Sequence, residues 1–193
     1  MIPLVIEEQS FDSAEVIAKL STQVRPERLK RITDVIAGRS KHVIPVMENI
    51  YDRGNTSAVM RSAEAFGFHE FHQVVQMDTF KESKRVTQGA DKWLVQTQWE
   101  KTQPCIESLK SRGYKIMVTH LEGGRPLQDI EFDSPVALFF GNERDGASST
   151  LTELADERVY IPMQGFVQSF NISVAAALCF QHIRNEMARH QLP

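Results

Sequence analysis

The chain has 193 residues, 41% of them hydrophobic and 24% charged, with a formal net charge of −3. That length and composition allow one buried core and exclude both a large multidomain scheme and a globally basic nucleic-acid binder. No apolar run approaches the ~20 residues of a bilayer span, no basic lead-in precedes Glu7 and Glu8, and Cys105 and Cys179 stand apart without CxxC spacing, so a soluble cytoplasmic chain with reduced thiols is expected.

In chain order, residues 1–23 read as a leader of unassigned role in which Phe11, Val16, Ile17 and Leu20 point to a short helix. Residues 24–42 follow as a basic extension. Arg25, Arg28, Lys30, Arg31, Arg39 and Lys41 outnumber Glu27 and Asp34 there, while Val24, Leu29, Ile32, Val35 and Ile36 recur at helical spacing, so a basic amphipathic helix is predicted. A solvated helix face without a partner fits the same pattern. His42–Ile50 reads as the first buried strand, and residues 51–54 as a loop. Asn55 is expected to cap a helix running to about Phe66, with Ala58, Val59, Ala63 and Phe66 inward and Gly67 as its stop.

The alternation then repeats. Phe71–Val75 is a second predicted strand, and Asp78–Lys92 is a polar stretch long enough to be a functional loop. Trp93–Trp99 alternates like a strand, Cys105–Lys110 like a short helix, and Tyr114–Leu121 like another strand. Pro135–Phe140 is the continuous apolar run that parallel sheets bury on both faces. Thr150 and Glu153 have capping-box spacing for a helix over 151–155. Arg158–Met163 is the last predicted strand, and a small-residue helix starts near Asn171 with Ile172, Ala176, Cys179, Ile183 and Met187 on one stripe.

Strands alternating with helices predict an α/β domain with a mostly parallel sheet and helices on both faces. Three strands end in polar, glycine-containing loops, at Thr119–Gly124, Gly141–Gly146 and Met163–Asn171. Ligands in open α/β sheets settle beyond the carboxyl ends of the strands, so these loops together define a candidate pocket. Neither GxGxxG nor GxxxxGK[ST] nor a GxSxG elbow is present, and the six histidines show no metal-ligand spacing, so no metal is expected.

Three segments carry a family resemblance when taken together. NTSAVMR (Asn55–Arg61), LFFGNERDG (Leu138–Gly146) and IPMQGFVQSFNISVAAA (Ile161–Ala177) resemble the three motifs of the SpoU/TrmH family of SPOUT-class RNA 2′-O-ribose methyltransferases, and the basic segment before the first strand resembles its tRNA guanosine branch. The resemblance implies that residues 43–193 form the methyltransferase domain, with a deep trefoil knot over about 114–190, and that the chain is a homodimer. It implies S-adenosyl-L-methionine as cofactor, held by Thr119, Leu121, Gly141, Ile161, Met163 and Phe170. It also implies a catalytic set of Asn55, Arg61, Glu143, Ser169 and Asn171, with Arg61 at the ribose 2′-hydroxyl. Because a guanidinium keeps its proton at working pH, a role in stabilising alkoxide charge suits that position better than a base. The implied substrate is tRNA at the D-loop guanosine (position 18), with ribosomal RNA or a non-catalytic RNA-binding role as alternatives. Phosphate contacts are expected from Arg25, Arg28, Lys30, Arg31, Lys41 and Lys92, and from Lys81, Lys84 and Arg85 in the polar loop.

Overall fold

A computed structural model describes residues 4–6, 9–75, 89–121 and 123–192; most of the polar stretch 78–92, including Lys81, Lys84 and Arg85, lies outside the described residues. The chain divides into two compact units, residues 1–39 and 40–193.

In the first unit, β1 (Leu4–Ile6) and β2 (Gln9–Phe11) form an antiparallel pair that no pattern in the leader announces. The leader helix α1 covers Ser13–Ser21, and its Asp12 cap accepts from the Ala14 N–H at 2.8 Å. The basic helix α2 is shorter than its segment, spanning Pro26–Ala37. Proline at the first helical position has a suitable φ and no N–H to leave unpaired, and Gly38 closes the other end. Arg25, Arg28 and Arg31 are exposed, and Lys30 pairs with Asp34 at 2.6 Å.

The second unit is built on a seven-stranded sheet. Its strands are β3 (Val43–Glu48), β4 (Glu70–Val74), β5 (Val95–Trp99), β6 (Lys115–Thr119), β7 (Arg125–Pro126), β8 (Val136–Phe140) and β9 (Glu157–Tyr160). They lie in the order β5-β4-β3-β8-β6-β9-β7, and every pairing is parallel. Helices α3 (Arg53–Ala65), α4 (Thr102–Ser111), α5 (Ser149–Leu154) and α6 (Ile172–Arg189) complete it.

The period-2 alternation of each central strand feeds two cores. Val136, Leu138 and Phe140 of β8 join Val59, Met60 and Ala63 of α3 and the α6 stripe, where the Phe180 ring meets Phe68 edge-on at 5.1 Å. Ala137 and Phe139 of the same strand face the other way, onto Cys105, Ile106 and Leu109 of α4 and Leu151 of α5. The predicted stripe Ile172, Ala176, Cys179, Ile183 and Met187 is buried throughout.

Several boundaries differ from the sequence pattern, each for a local reason. β3 stops at Glu48 because Asn49 takes a left-handed φ of 51°. β9 stops at Tyr160, where its partner β7 runs out at Pro126 and where Pro162 follows without an N–H to donate. Helix α3 begins two residues before Asn55, because Asp52 caps it by accepting from the Gly54 N–H at 2.7 Å. The capping box at Thr150 and Glu153 is not used either. Ser148 caps α5, with its hydroxyl accepting from the Leu151 N–H.

Candidate active site

Because all seven strands are parallel, the segments that follow β3, β6, β8 and β9 emerge on one rim of the sheet. The chain leaves β3 for β4 and β5 on one side, whereas β8 and its neighbours lie on the other, so the rim above β3 and β8 is a switch point. A cleft of about 590 Å³ opens there.

Gly141, directly after β8, has to be glycine. A Cβ on it would lie 2.4 Å from the Ala147 backbone nitrogen and 2.5 Å from the Gly146 carbonyl carbon. This close approach folds the next residues into a tight turn. Asn142 and Gly146 exchange backbone hydrogen bonds of 2.8 and 2.9 Å, Gly146 sits at φ 73°, and the Asn142 side-chain oxygen accepts from the Arg144 N–H at 2.8 Å. The turn directs Glu143 at the start of α3. Its carboxylate accepts from the Tyr51 N–H at 2.9 Å and from Asn55 Nδ2 at 2.8 Å.

The network continues from there. Asn55 Oδ1 accepts from Asn171 Nδ2 at 3.1 Å, and Asn171 Oδ1 accepts from the Ser173 N–H at 2.9 Å and the Ser173 hydroxyl at 2.6 Å. One end is a carboxylate that only accepts and the other is a helix terminus whose N–H only donates, so each amide between them has a single consistent orientation. Moving the α3 cap to Asp52 leaves the Asn55 side chain available for this relay. A signal for it was present, since an aspartate two residues before Gly54 has the spacing of an N-cap.

Asn55, Glu143, Ser169 and Asn171 all line the cleft, as do Thr119, Leu121, Gly141, Ile161, Met163 and Phe170. Arg61 does not line it. Six residues beyond Asn55 on α3, it lies about 240° further round the helix axis and is exposed. Lys41 and Lys92 are exposed on the second unit, Lys92 closing a 3₁₀ turn over Ala90–Lys92.

Three contributors have no role assigned from the motifs, although Arg144 lies within LFFGNERDG. Arg144 stacks its guanidinium 3.8 Å from the centre of the Tyr51 ring, which holds both at the mouth of the cleft. Glu48, buried at the end of β3, accepts from the Thr102 hydroxyl, the Ser148 N–H (2.9 Å) and the Ser148 hydroxyl (2.7 Å), tying the Gly141–Ser148 segment to α4. A lone glutamate at the end of an apolar strand gives no sign in sequence of the partners that permit its burial.

The lining suits a nucleoside-like ligand bearing positive charge. Val159, Ile161, Met163, Ile172 and Ala175 supply apolar walls, and Asp52 and Glu143 put two carboxylates beside the single guanidinium of Arg144. Residues 163–170 make no backbone–backbone hydrogen bond among the described residues, so their N–H and C=O groups are available to the edges of a base. Cys179 is at the cleft floor, but burial pushes its thiol up to about 12, which rules it out as a thiolate nucleophile at neutral pH.

Residues 42–181 match the family described as the SpoU rRNA Methylase family. The chain belongs to the SpoU methylase family. Within it, the chain is 33% identical over 168 residues to a tRNA (guanosine(18)-2′-O)-methyltransferase of Borreliella burgdorferi, an alignment covering 86% of this chain and 77% of that protein. A solved SpoU structure, the A. aeolicus TrmH/SpoU tRNA modifying enzyme, superposes with a TM-score of 0.80 at 28% identity, covering 86% of this chain and 85% of that one. An AdoMet-bound rRNA methyltransferase from Sinorhizobium meliloti superposes with a TM-score of 0.70 at 25% identity, over 81% of this chain and 58% of that one. The α/β architecture with its parallel sheet is thus the SpoU one. The family uses S-adenosylmethionine as methyl donor, and within the matched range Asn55 is joined to both Glu143 and Asn171 in the relay described above.

Proposed function

We propose that this protein is an S-adenosylmethionine-dependent RNA 2′-O-ribose methyltransferase acting on guanosine 18 in the D-loop of tRNA. The observation that carries the reading is the Glu143–Asn55–Asn171 relay on the wall of a cleft made by the three SpoU motifs. The tRNA assignment is favoured over ribosomal RNA by relatives such as the B. burgdorferi enzyme, which matches over 77% of its length.

When bound, S-adenosylmethionine supplies an electrophilic methyl group on a sulfonium. Thr119, Leu121, Gly141, Ile161, Met163 and Phe170 hold the donor, largely through backbone groups and apolar contact. Asn55, Glu143, Ser169 and Asn171 would orient the ribose so that its 2′-oxygen faces the donor's methyl group. Arg61 stabilises negative charge growing on that oxygen as its proton passes to solvent water.

Arg61 is exposed and does not line the cleft of its own chain, and this supports a homodimer in which a second copy brings its Arg61 to the ribose. Phe166, Val167, Phe170, Val174 and Leu178 are exposed beside the cleft and offer an apolar face for that contact. A deep knot over about 114–190 is supported by the strand order, in which β8 inserts between β3 and β6 and the chain then passes β9 before returning to α6 against α3. Arg25, Arg28, Lys30, Arg31, Lys41 and Lys92 supply phosphate contacts. A cytoplasmic location fits an RNA substrate and two buried free thiols, and no helix among the described residues is long and apolar enough to cross a membrane.

The decisive experiment is incubation with methyl-labelled S-adenosylmethionine and unmodified tRNA or ribosomal RNA transcripts, followed by mapping of the labelled ribose. Label at guanosine 18 of tRNA is expected. Label only in ribosomal RNA would overturn the substrate, and label in neither would overturn the activity.

A further inference from the structure

A second cavity of about 480 Å³ lies next to the donor cleft and shares with it Tyr51, Asn142, Gly146 and Ala147. Met47, Ile50, Val74 and Val75 give it apolar walls. Two polar side chains on its lining are almost wholly buried, Gln73 at 5% exposure and Thr56 at 2%. Neither is an unpaired group sealed in the core; among the described residues that description fits His182 Nε2 alone. Polar groups that are nearly buried yet not shut off from a cavity can pair with a ligand that enters it.

The chemistry of that ligand is constrained by its surroundings. Glu48 also lines the cavity, but its carboxylate is already occupied by Thr102 and Ser148. Arg53 and Asp145 also line it and offset one another, so together with Glu48 the wall carries no net positive charge to draw a phosphate. A flat, neutral heterocycle with both donors and acceptors on one edge satisfies what remains. An amide side chain offers one acceptor and two donors, and a hydroxyl serves either role. Apolar walls around a few hydrogen-bonding groups are how proteins hold an unstacked base.

We propose that this cavity receives the base of the nucleotide whose ribose is methylated, and reads it through Gln73 and Thr56. This rests on the methyltransferase reading above. The ribose meets the donor on one side of the Tyr51 and Gly141–Ala147 wall while its base enters the cavity on the other. A guanine presents its N1–H and 2-amino donors beside the O6 acceptor, complementary to the amide of Gln73 with Thr56 taking a second contact. An adenine has a single amino donor on that edge.

The test compares wild type, Gln73→Ala and Thr56→Val on tRNA transcripts carrying guanosine, inosine or adenosine at the methylated position. Initial rates are read with saturating labelled donor, and donor affinity is measured separately by calorimetry. Losing a base contact in Gln73→Ala should lower kcat/KM on the guanosine transcript by roughly 10- to 100-fold and narrow the preference over inosine and adenosine by a similar factor. Donor affinity should hold. Thr56→Val, nearly the same shape, should act in the same direction and guards against a packing defect in the first variant. Discrimination unchanged in both variants would overturn the base pocket, whether or not the rate fell. Should the wild type methylate none of the transcripts, the enzymatic reading would go and the pocket with it, whereas robust transfer with unaltered preference removes the pocket alone.

Discussion

Replacing Gly141 by alanine puts the close approach behind the motif-two turn to a direct test. The added Cβ would sit 2.4 Å from the Ala147 nitrogen, 2.5 Å from the Gly146 carbonyl carbon and 2.6 Å from the Ala147 Cα, all backbone atoms. Ordinary contact needs about 3.5 Å, so the turn has to retreat by about 1 Å. Overpacking of this kind costs about 1–3 kcal/mol, and strain on the two Asn142–Gly146 hydrogen bonds adds to it. At 193 residues the melting temperature should fall by about 2–12 °C. The same shift carries Glu143 away from the Tyr51 N–H and from Asn55, and a displacement of that size costs roughly 100-fold in rate. Thermal melting, donor titration and methyl transfer report the three effects. An alanine variant with wild-type melting, donor affinity and rate would refute both the steric argument and the placement of the donor against this turn.

Asn55→Asp removes the Nδ2 donor and sets a second carboxylate 2.8 Å from Glu143, so kcat should fall roughly 100-fold and further than in Asn55→Ala; equal losses would show that repulsion plays no part. Glu48→Ala leaves the Ser148 N–H and two hydroxyls without their acceptor, and urea denaturation should find the protein less stable by about 2–4 kcal/mol. Glu70 is held down to about 2 from an ordinary 4.5, first by its hydrogen bond to His72 and also by Arg112 at 2.7 Å, against the opposing effect of burial. A lowered carboxylate pKa stabilises the fold fully above pH ~4.5, and that stability drains away as pH falls from 4.5 towards 2. Solvent screening reduces the nominal figure to about 1–2 kcal/mol, and Glu70→Gln should flatten this part of an acid-unfolding curve. Replacing Arg28, Lys30 and Arg31 together by alanine should weaken tRNA binding and flatten its dependence on log salt while leaving donor affinity unchanged, and filter binding over a salt series would show whether it does.

The element sequence and the rim of the sheet were legible because burial leaves a periodic trace. The run Val136–Phe140 and the stripe Ile172, Ala176, Cys179, Ile183 and Met187 are apolar in sequence for the reason that they are buried on two sheet faces and one helix face. Strand-terminal glycines likewise announced the three loops, and Gly141 is glycine because another stretch of backbone passes where its side chain would be. The caps were misplaced where several candidates stood together: Asp52 and Asn55 around one helix start, Ser148 and Thr150 around another. Any of these side chains can cap in isolation, and the choice fell to whichever had no tertiary partner or, for Ser148, to the one that Glu48 also holds.

What composition and motif spacing determined here is local and periodic: which segments are strands, which faces are apolar, and which residue types meet at the rim. What only the tertiary structure decided is pairing across distance. Asn55 reaches Asn171 and Glu143 reaches Tyr51 across separations of 116 and 92 residues, Glu48 owes its burial to Ser148 100 residues on, and Arg61 falls on the far side of a helix whose first turn enters the cleft. Such contacts depend on the order in which parallel strands lie side by side, and β8 lands between β3 and β6 for the sake of the whole sheet's packing, which no window of neighbouring residues encodes.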